Sequence, residues 1–410
     1  MFESENLGIE RACYLEKINL ENFYAIGKIE LSNLAHCREI YFLGENGDGK
    51  TLLLQAIVLA IKYNEMMATA SKESIAKLMD LKEYSEKKAQ KNQLRPICEA
   101  VLQQPEGVDI AISAFQQNHG IPLAIKYLYA YGINRHQTNS ERKKEPHGFL
   151  TLFDDYQNLE HPARWISTLY AEELEAFKNE KQKIGISLND AKKLLKDLLD
   201  KNVTIKENIH FEDVQFIERG TAVAFDNLSK GYKSTMTWVS DLVIRMSRNQ
   251  PNVRQLADFV GVVLVDEIGL HLHPKWKFKL VGMLRNRFPK VQFIFTTHSP
   301  TVVMGASKKA IFYKLYKEDG LTKISDPISN KDGFVANELL TSSLFELDSF
   351  TSKRFPKRHM SRISSDDYIY QKIHEAISAR IEATPNSLDD DQIMSWVEEE
   401  LSMLDNITRE

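Results

Sequence analysis

The chain has only three cysteines in 410 residues, Cys13, Cys37 and Cys98, and none stands in a C-x-x-C spacing. That excludes a disulfide framework and a cysteine-built zinc site, and the three read as reduced packing residues. Long apolar runs are missing as well: none approaches the roughly 18 residues a membrane span requires, so no spanning segment and no membrane partner is expected. The N-terminus, MFESENLGIERACYLEK, carries acids and no apolar stretch, which speaks against a secretory signal and for a cytoplasmic location. An excess of one charge is lacking too. Lys plus Arg number 53 and Asp plus Glu 57, a net charge of −4, with 43% hydrophobic and 27% charged residues. This is an ordinary globular balance, and it excludes collagenous and wholly disordered classes. No internal repeat and no low-complexity tract is found. At roughly 150 residues per domain the length admits two or three domains, or one large catalytic module with insertions.

What is present begins with extended segments. Leu15, Ile18, Leu20 and Phe23 lie near alternation, and residues 28–31 and 38–43 give two further short strands. A glycine-rich turn follows, and from Thr51 the run TLLLQAIVLAIKY is helical in length and apolar content. The Lys-, Glu-, Ala- and Gln-rich stretch 62–95 predicts exposed helices, part of a helical insertion expected over about 62–124, with a second over about 136–202. Within these bounds 125–132 reads as a buried strand and 136–148 as a polar loop. Helices are expected from Trp165 to Phe177 and from Ser187 to Leu199, Ser187 being the N-cap of the second. Strand-like alternation returns from Val203 to Phe216 and over 222–225.

The chemistry is concentrated in four motifs. Gly44-Glu45-Asn46-Gly47-Asp48-Gly49-Lys50-Thr51 fits G-x-x-x-x-G-K-[ST] between a strand and a helix that continues through Leu52. Its glycines turn backbone N–H groups inward around phosphates, and the helix N-terminus adds partial positive charge. Lys50 reaches the β- and γ-phosphates, and the Thr51 hydroxyl ligates Mg²⁺. Val262 to Val265 form an apolar run, as a strand buried on both faces does, ending in Asp266 and Glu267. Asp266 at a strand's carboxyl end suits the Mg²⁺ shell and Glu267 suits a general base toward water. An acid pair there also serves to cap a following helix, and the residues alone do not choose. Val291 to Thr297 form another buried strand with His298 at its carboxyl end, where ligands of open parallel sheets bind; a lone histidine there also serves structure. In Asn227-Leu228-Ser229-Lys230-Gly231-Tyr232-Lys233-Ser234 a Ser and a Gly precede a helix, an anion-binding start and equally a plain capped helix.

In this order the motifs resemble the ATP-binding-cassette (ABC) type of ATPase, specifically the compact bacterial AAA-like group related to structural-maintenance-of-chromosomes, RecF-like and OLD-like proteins. GENGDGKT is similar to its Walker A, LSKGYKS to its signature, VVLVDEIGLHLHPKW to its Walker B and FPKVQFIFTTHSP to its switch-histidine segment. YAYGINR at 129–135 and HLHPKW at 271–276 look like stand-alone ATPases of bacterial antiphage defence operons. The resemblance implies an α/β ABC-ATPase fold: a mostly parallel central sheet, antiparallel N-terminal strands and helical insertions over residues 1–345, with a helical extension over 346–410. It makes Gly44 to Leu52 the phosphate cradle for ATP, Thr51 and Asp266 the Mg²⁺ residues, Glu267 the base and His298 the switch. Ser229 and Gly231 would meet the γ-phosphate held by a second copy, hence a head-to-tail dimer around two ATPs. The chain departs from the pattern at Lys230, Tyr232, Gly269 and Tyr24, and has no clear Q-loop glutamine, for which Asn134 and Arg135 are the substitutes at hand.

Beyond residue 345, Lys353 to His359 is a basic cluster, residues 366–381 and 392–404 are amphipathic helices, and Asp389-Asp390-Asp391 precede a helix, where acids cap. This tail lacks the strand–helix alternation of a TOPRIM nuclease, and the 60–125 insertion is too short for a chromosome-clamp coiled coil. The expected function is an ATP-dependent switch for a separately encoded effector, a nuclease or toxin, in antiphage defence. The rivals are a RecF-like maintenance ATPase with DNA as partner, and a nucleotide-binding scaffold that hydrolyses ATP negligibly.

Overall fold

A computed structural model of the chain describes residues 14–69, 96–103, 109–113, 127–135, 147–155, 157–180, 185–199, 203–205, 214–218, 220–329 and 345. They fall in the first of two compact units, Met1–Leu347; the second is Asp348–Glu410. The basic cluster, the two C-terminal helices and the Asp389–Asp391 run lie outside the described residues, as do Cys13, the 70–95 stretch and most of the 136–148 loop. Among the described residues no helix is long and apolar enough to cross a membrane.

Strands β1 (Tyr14–Phe23) and β2 (Ile26–Leu31) form an antiparallel hairpin that leads into β3 (Glu39–Leu43) and helix α1 (Lys50–Thr69). After β4 (Ile97–Gln103), β5 (Asp109–Ser113) and β6 (Leu128–Tyr131) come helices α2 (Pro162–Lys178) and α3 (Leu188–Asp197). Strands β7 (Val203–Ile205), β8 (Gln215–Glu218) and β9 (Thr221–Ala224) make a separate small antiparallel sheet. Helix α4 (Lys230–Asn249), β10 (Gly261–Val265), α5 (Pro274–Arg287), β11 (Val291–Thr297) and α6 (Pro300–Met304) follow, then β12 (Ile311–Glu318), β13 (Leu321–Ile324) and β14 (Ile328–Ser329).

The large sheet runs β5-β4-β1-β2-β13-β12-β3-β11-β10-β6, with β14 on β12. Its section from β12 through β3, β11 and β10 to β6 is parallel, and β1, β2, β4 and β5 are antiparallel. This is the expected α/β architecture. Parallel strands carry helices on both faces, so every residue of β3, β10 and β11 is buried. On one face α1 contributes Leu53, Leu54, Ile57, Val58 and Leu59; on the other α2 to α6 pack around Trp238, Leu242, Leu280, Leu284 and Val303. Each such side chain contributes about 1.5–3 kcal/mol of burial, and together they hold the strand ends in one plane.

Two buried polar side chains set the layers. Gln292 on β11 accepts from the Leu15 N–H at 2.7 Å and donates to the carbonyls of Leu15, Leu34 and Cys37, fastening the antiparallel hairpin to the central sheet. Asp241 on α4 accepts from the Tyr131 hydroxyl at 2.9 Å and from the Glu160 N–H at 3.1 Å, and pairs with Arg245 one turn on. The second network fixes α4 against the end of β6.

Ser187 caps α3 as expected, accepting from the Asp190 N–H at 3.1 Å and donating to its carboxylate at 2.7 Å. The expected helical insertion over 62–124 needs correction: α1 runs on to Thr69, but 97–103 and 109–113 are strands that extend the hairpin sheet through β1. Alternate residues Cys98, Ala100 and Leu102 point into the core. Cys98 and Cys37 are free and buried, and burial raises both thiol pKa values.

Candidate functional site

The parallel register brings three strand ends together: Leu43 pairs with Thr297, and Val265 with Phe295. The residues that follow, Gly44, Asp266 and His298, therefore emerge along one edge of the sheet. Open parallel sheets bind ligands at that edge.

The loop from Gly44 to Gly49 presents Glu45, Asn46 and Gly47 to solvent and closes on itself where the Glu45 N–H donates to Asp48 Oδ2 at 2.6 Å. Gly49 lies at φ +93°, and a Cβ there would stand 2.6 Å from Thr322 Oγ1 on β13, so only glycine fits. Leu53 N–H makes the first helical bond of α1, to the Gly49 carbonyl at 2.8 Å. The N–H groups of Lys50, Thr51 and Leu52 remain the orphan donors of a helix start, suited to an anion.

Lys50 is buried, and its Nζ donates to the carbonyls of Gly44 and Glu45, each at 2.9 Å. It also stands 3.3 Å from Glu267 Oε1. Thr51 Oγ1 donates to Asp266 Oδ2 at 2.6 Å, and the other Asp266 oxygen accepts from the Thr296 hydroxyl. That hydroxyl in turn accepts from the Glu267 N–H at 2.8 Å. Glu267 Oε2 lies 2.9 Å from His298 Nδ1, and His298 is more than half exposed. Lys50, Thr51, Asp266, Glu267 and His298, five of the residues expected from sequence, thus stand in one cluster. A hydroxyl and a 1%-exposed carboxylate in contact form a hard-oxygen donor pair that fits Mg²⁺.

Arg135 needs correction as a Q-loop substitute. It is buried beneath the acids and not directed at the loop: Nη1 donates to the carbonyls of Gly132 and Asp266, and Nη2 to the Glu267 carbonyl at 2.8 Å. Burial lowers its pKa to about 10, with Asp266 and Glu267 acting in the opposite direction. It braces a strained position, because Glu267 has φ +46°, a left-handed backbone unusual for a residue with a long side chain. Asn134 lies half-buried on the same turn.

Ser229 stands exposed at the N-cap of α4 and its side chain makes no capping bond. Gly231 is buried where a Cβ would meet the His271 carbonyl at 2.6 Å. The glycine therefore admits the turn after Glu267 against the first turn of α4. Among the described residues neither is hydrogen-bonded to the glycine loop of its own chain.

Sequence reasoning missed Thr296, whose hydroxyl joins Asp266 to the Glu267 backbone. Its signal was the polar pair Thr296-Thr297 closing an otherwise apolar strand. A cleft of about 1,050 Å³ was equally unforeseen: it opens from Gly44, Glu45 and Asp48 past His298 toward Lys314 and Tyr316.

Residues 129–304 match the family model described as "AAA domain, putative AbiEii toxin, Type IV TA system". The chain is 29% identical over 345 residues to the Septu protein PtuA of Bacillus mycoides (strain KBAB4), covering 82% of this chain and 45% of that protein. It is 39% identical over 129 residues to the "Retron Vc95 probable ATPase" of Vibrio cholerae serotype O1 biovar El Tor, covering 31% of this chain and 25% of that protein. The chain spans less than half the length of these curated relatives. Among solved structures an SMC head bound to the C-winged-helix domain of ScpA matches with a TM-score of 0.44 at 14% identity, over 77% of this chain and 98% of that chain. The resemblance to compact bacterial AAA-like ATPases drawn from the motifs is borne out by the family match and these relatives.

Proposed function

We propose that this chain is an ATP-hydrolysing switch of the ABC type that closes as a head-to-tail dimer around two ATPs and controls a separately encoded effector, a nuclease or toxin, in antiphage defence. The observation that carries the reading is the 2.6 Å bond from Thr51 to Asp266, two residues 215 positions apart. It joins the glycine loop to the acid strand at the sheet edge where a nucleotide phosphate would lie.

In this reading the α1 N-terminus and Lys50 hold the β- and γ-phosphates, and Thr51 and Asp266 hold Mg²⁺. Mg²⁺ bound there neutralises charge on the phosphate oxygens. Glu267 takes the proton of the attacking water, and His298 steadies its carboxylate from the exposed side. Lys50 has its three donors committed to Gly44, Glu45 and Glu267, so a γ-phosphate competes with Glu267 for the ammonium and frees the base. Ser229, exposed at a helix start, is available to the ATP of a second copy. The effector role is supported by the defence-operon resemblance and by the toxin named in the family description.

Lys50→Ala tests the nucleotide reading. Titration with a fluorescent ATP analogue is expected to show lost binding, since Lys50 is the buried cation bonded to the carbonyls of this loop; unchanged affinity would overturn the assignment.

A further inference from the structure

Beyond the nucleotide edge, one surface among the described residues is rich in cations. Residues 271–290 hold six cations, Lys275, Lys277, Lys279, Arg285, Arg287 and Lys290, and no acid, in a chain whose net charge is −4. Three of them are neutralised: Arg285 pairs with Glu39, Arg287 with Asp197 and Lys290 with Asp258. Among the described residues Lys275, Lys277 and Lys279 have no ion-pair partner. They alternate with Trp276 and Phe278, and Phe278 is 47% exposed. Lys275, Phe278 and Lys279 stand at i, i+3 and i+4, hence on one face of α5. Where α6 ends, Gly305 backs directly onto the Phe278 carbonyl, and the chain continues within three residues to Lys308 and Lys309, both exposed and likewise unpaired. The cleft between α5, this turn and the end of α3 has a volume of about 880 Å³.

From this juxtaposition we propose that the face of α5 bearing Lys275, Phe278 and Lys279 binds single-stranded nucleic acid. Clustered unpaired ammonium groups repel one another, and an exposed phenylalanine forfeits its burial. A ligand that alternates phosphates with open aromatic faces relieves both at once. A duplex offers the phosphates but hides the base faces. An acidic peptide satisfies the lysines and leaves Phe278 in water. The carboxylate lining this cleft, Asp197, is already held by Arg287, so it does not repel a phosphate as a free acid would.

The test is fluorescence anisotropy of a labelled single-stranded oligonucleotide of about 20 residues with the full chain, without ATP, across about 50 to 200 mM salt. Lys275→Gln with Lys279→Gln is expected to weaken binding at least tenfold and to reduce the log–log salt slope by about 1.4, some 0.7 per lost phosphate contact. Phe278→Ala should weaken single-strand binding about tenfold and leave duplex binding unchanged. The pair Lys308→Gln with Lys309→Gln is a second, independent charge variant with the same expected direction. Absence of oligonucleotide binding by the wild type, an unchanged slope in both charge variants, or displacement by polyglutamate at equal charge concentration would overturn the proposal. So would duplex binding as tight as single-strand binding. Lys50→Ala should bind the oligonucleotide as the wild type does, which separates this surface from the nucleotide reading.

Discussion

His298 Nδ1 and Glu267 Oε2 stand 2.9 Å apart, so the histidine on one strand end and the acid on the next share a single contact. Glu267 is thereby held from the solvent side by His298 and from the buried side by Lys50. Glu267→Gln keeps the shape and loses the proton acceptor. It should retain ATP affinity, because in the proposed reading Lys50 and Thr51 hold the ground state, and lose about 10²- to 10⁴-fold in hydrolysis. Phosphate release set beside an ATP titration checks this; wild-type turnover in the variant would remove Glu267 from the role of base.

Ser229→Arg should spare ATP binding by the single chain and abolish ATP-driven dimerisation and hydrolysis, since Ser229 is exposed and its side chain makes no bond in its own helix start. Mixing it with Lys50→Ala gives mixed dimers in which one composite site carries both defects and the other carries neither. Partial recovery of hydrolysis in the mixture, with sedimentation to follow dimers, is the expected outcome. Normal ATP-dependent dimerisation of Ser229→Arg alone would reduce Ser229 to a helix cap.

Arg135→Gln removes the charged donor under the carbonyls of Asp266 and Glu267. Hydrogen bonds to charged groups contribute about 1.5–3 kcal/mol each, and a glutamine amide replaces part of the three, so a loss of at least about 2 kcal/mol is expected in urea unfolding. Because Arg135 touches no phosphate-binding residue, kcat should fall while ATP affinity holds. A variant that lost affinity and kept kcat would show that Arg135 does more than brace the acids.

His161 ends the loop before α2 and its Nδ1 accepts from the Ala163 N–H at 3.2 Å, which requires an unprotonated ring. Burial lowers its pKa below the ordinary 6.5, with Asp226 opposing and Arg164 reinforcing. Above that pH the ring is neutral in both folded and unfolded chains and contributes no pH dependence. As pH falls below it the unfolded chain takes the proton first, so stability declines until the folded histidine also titrates. His161→Asn, a capping residue that does not titrate, should flatten the decline that sets in below about pH 6.5 in thermal melts.

The motif-bearing strands were legible because a strand buried on both faces must be apolar throughout, as Val262 to Val265 and Val291 to Phe295 are. Strand β4 was not: its inward residues Cys98, Ala100 and Leu102 are mostly small, and the Lys- and Glu-rich stretch before it suggests helix. Arg135 and Thr296 escaped for a different reason. Arg135 pairs with backbone carbonyls 131 and 132 residues away, which leave no pattern of residue types, and Thr296 bonds a carboxylate 30 residues away, a partner that the polar end of its strand does not identify. Gly231 was read through a ligand, while the structure gives it the His271 carbonyl as a neighbour.

The left-handed backbone at Glu267 has an evolutionary consequence. Glycine and asparagine adopt φ +46° more cheaply than glutamate, by about 1 kcal/mol, so Glu267→Gly or Glu267→Asn would relax the turn while discarding the carboxylate. A library of this chain sorted only for thermal resistance should therefore enrich such changes at 267. On the role proposed for Glu267, selection for robustness and selection for turnover pull in opposite directions at this position.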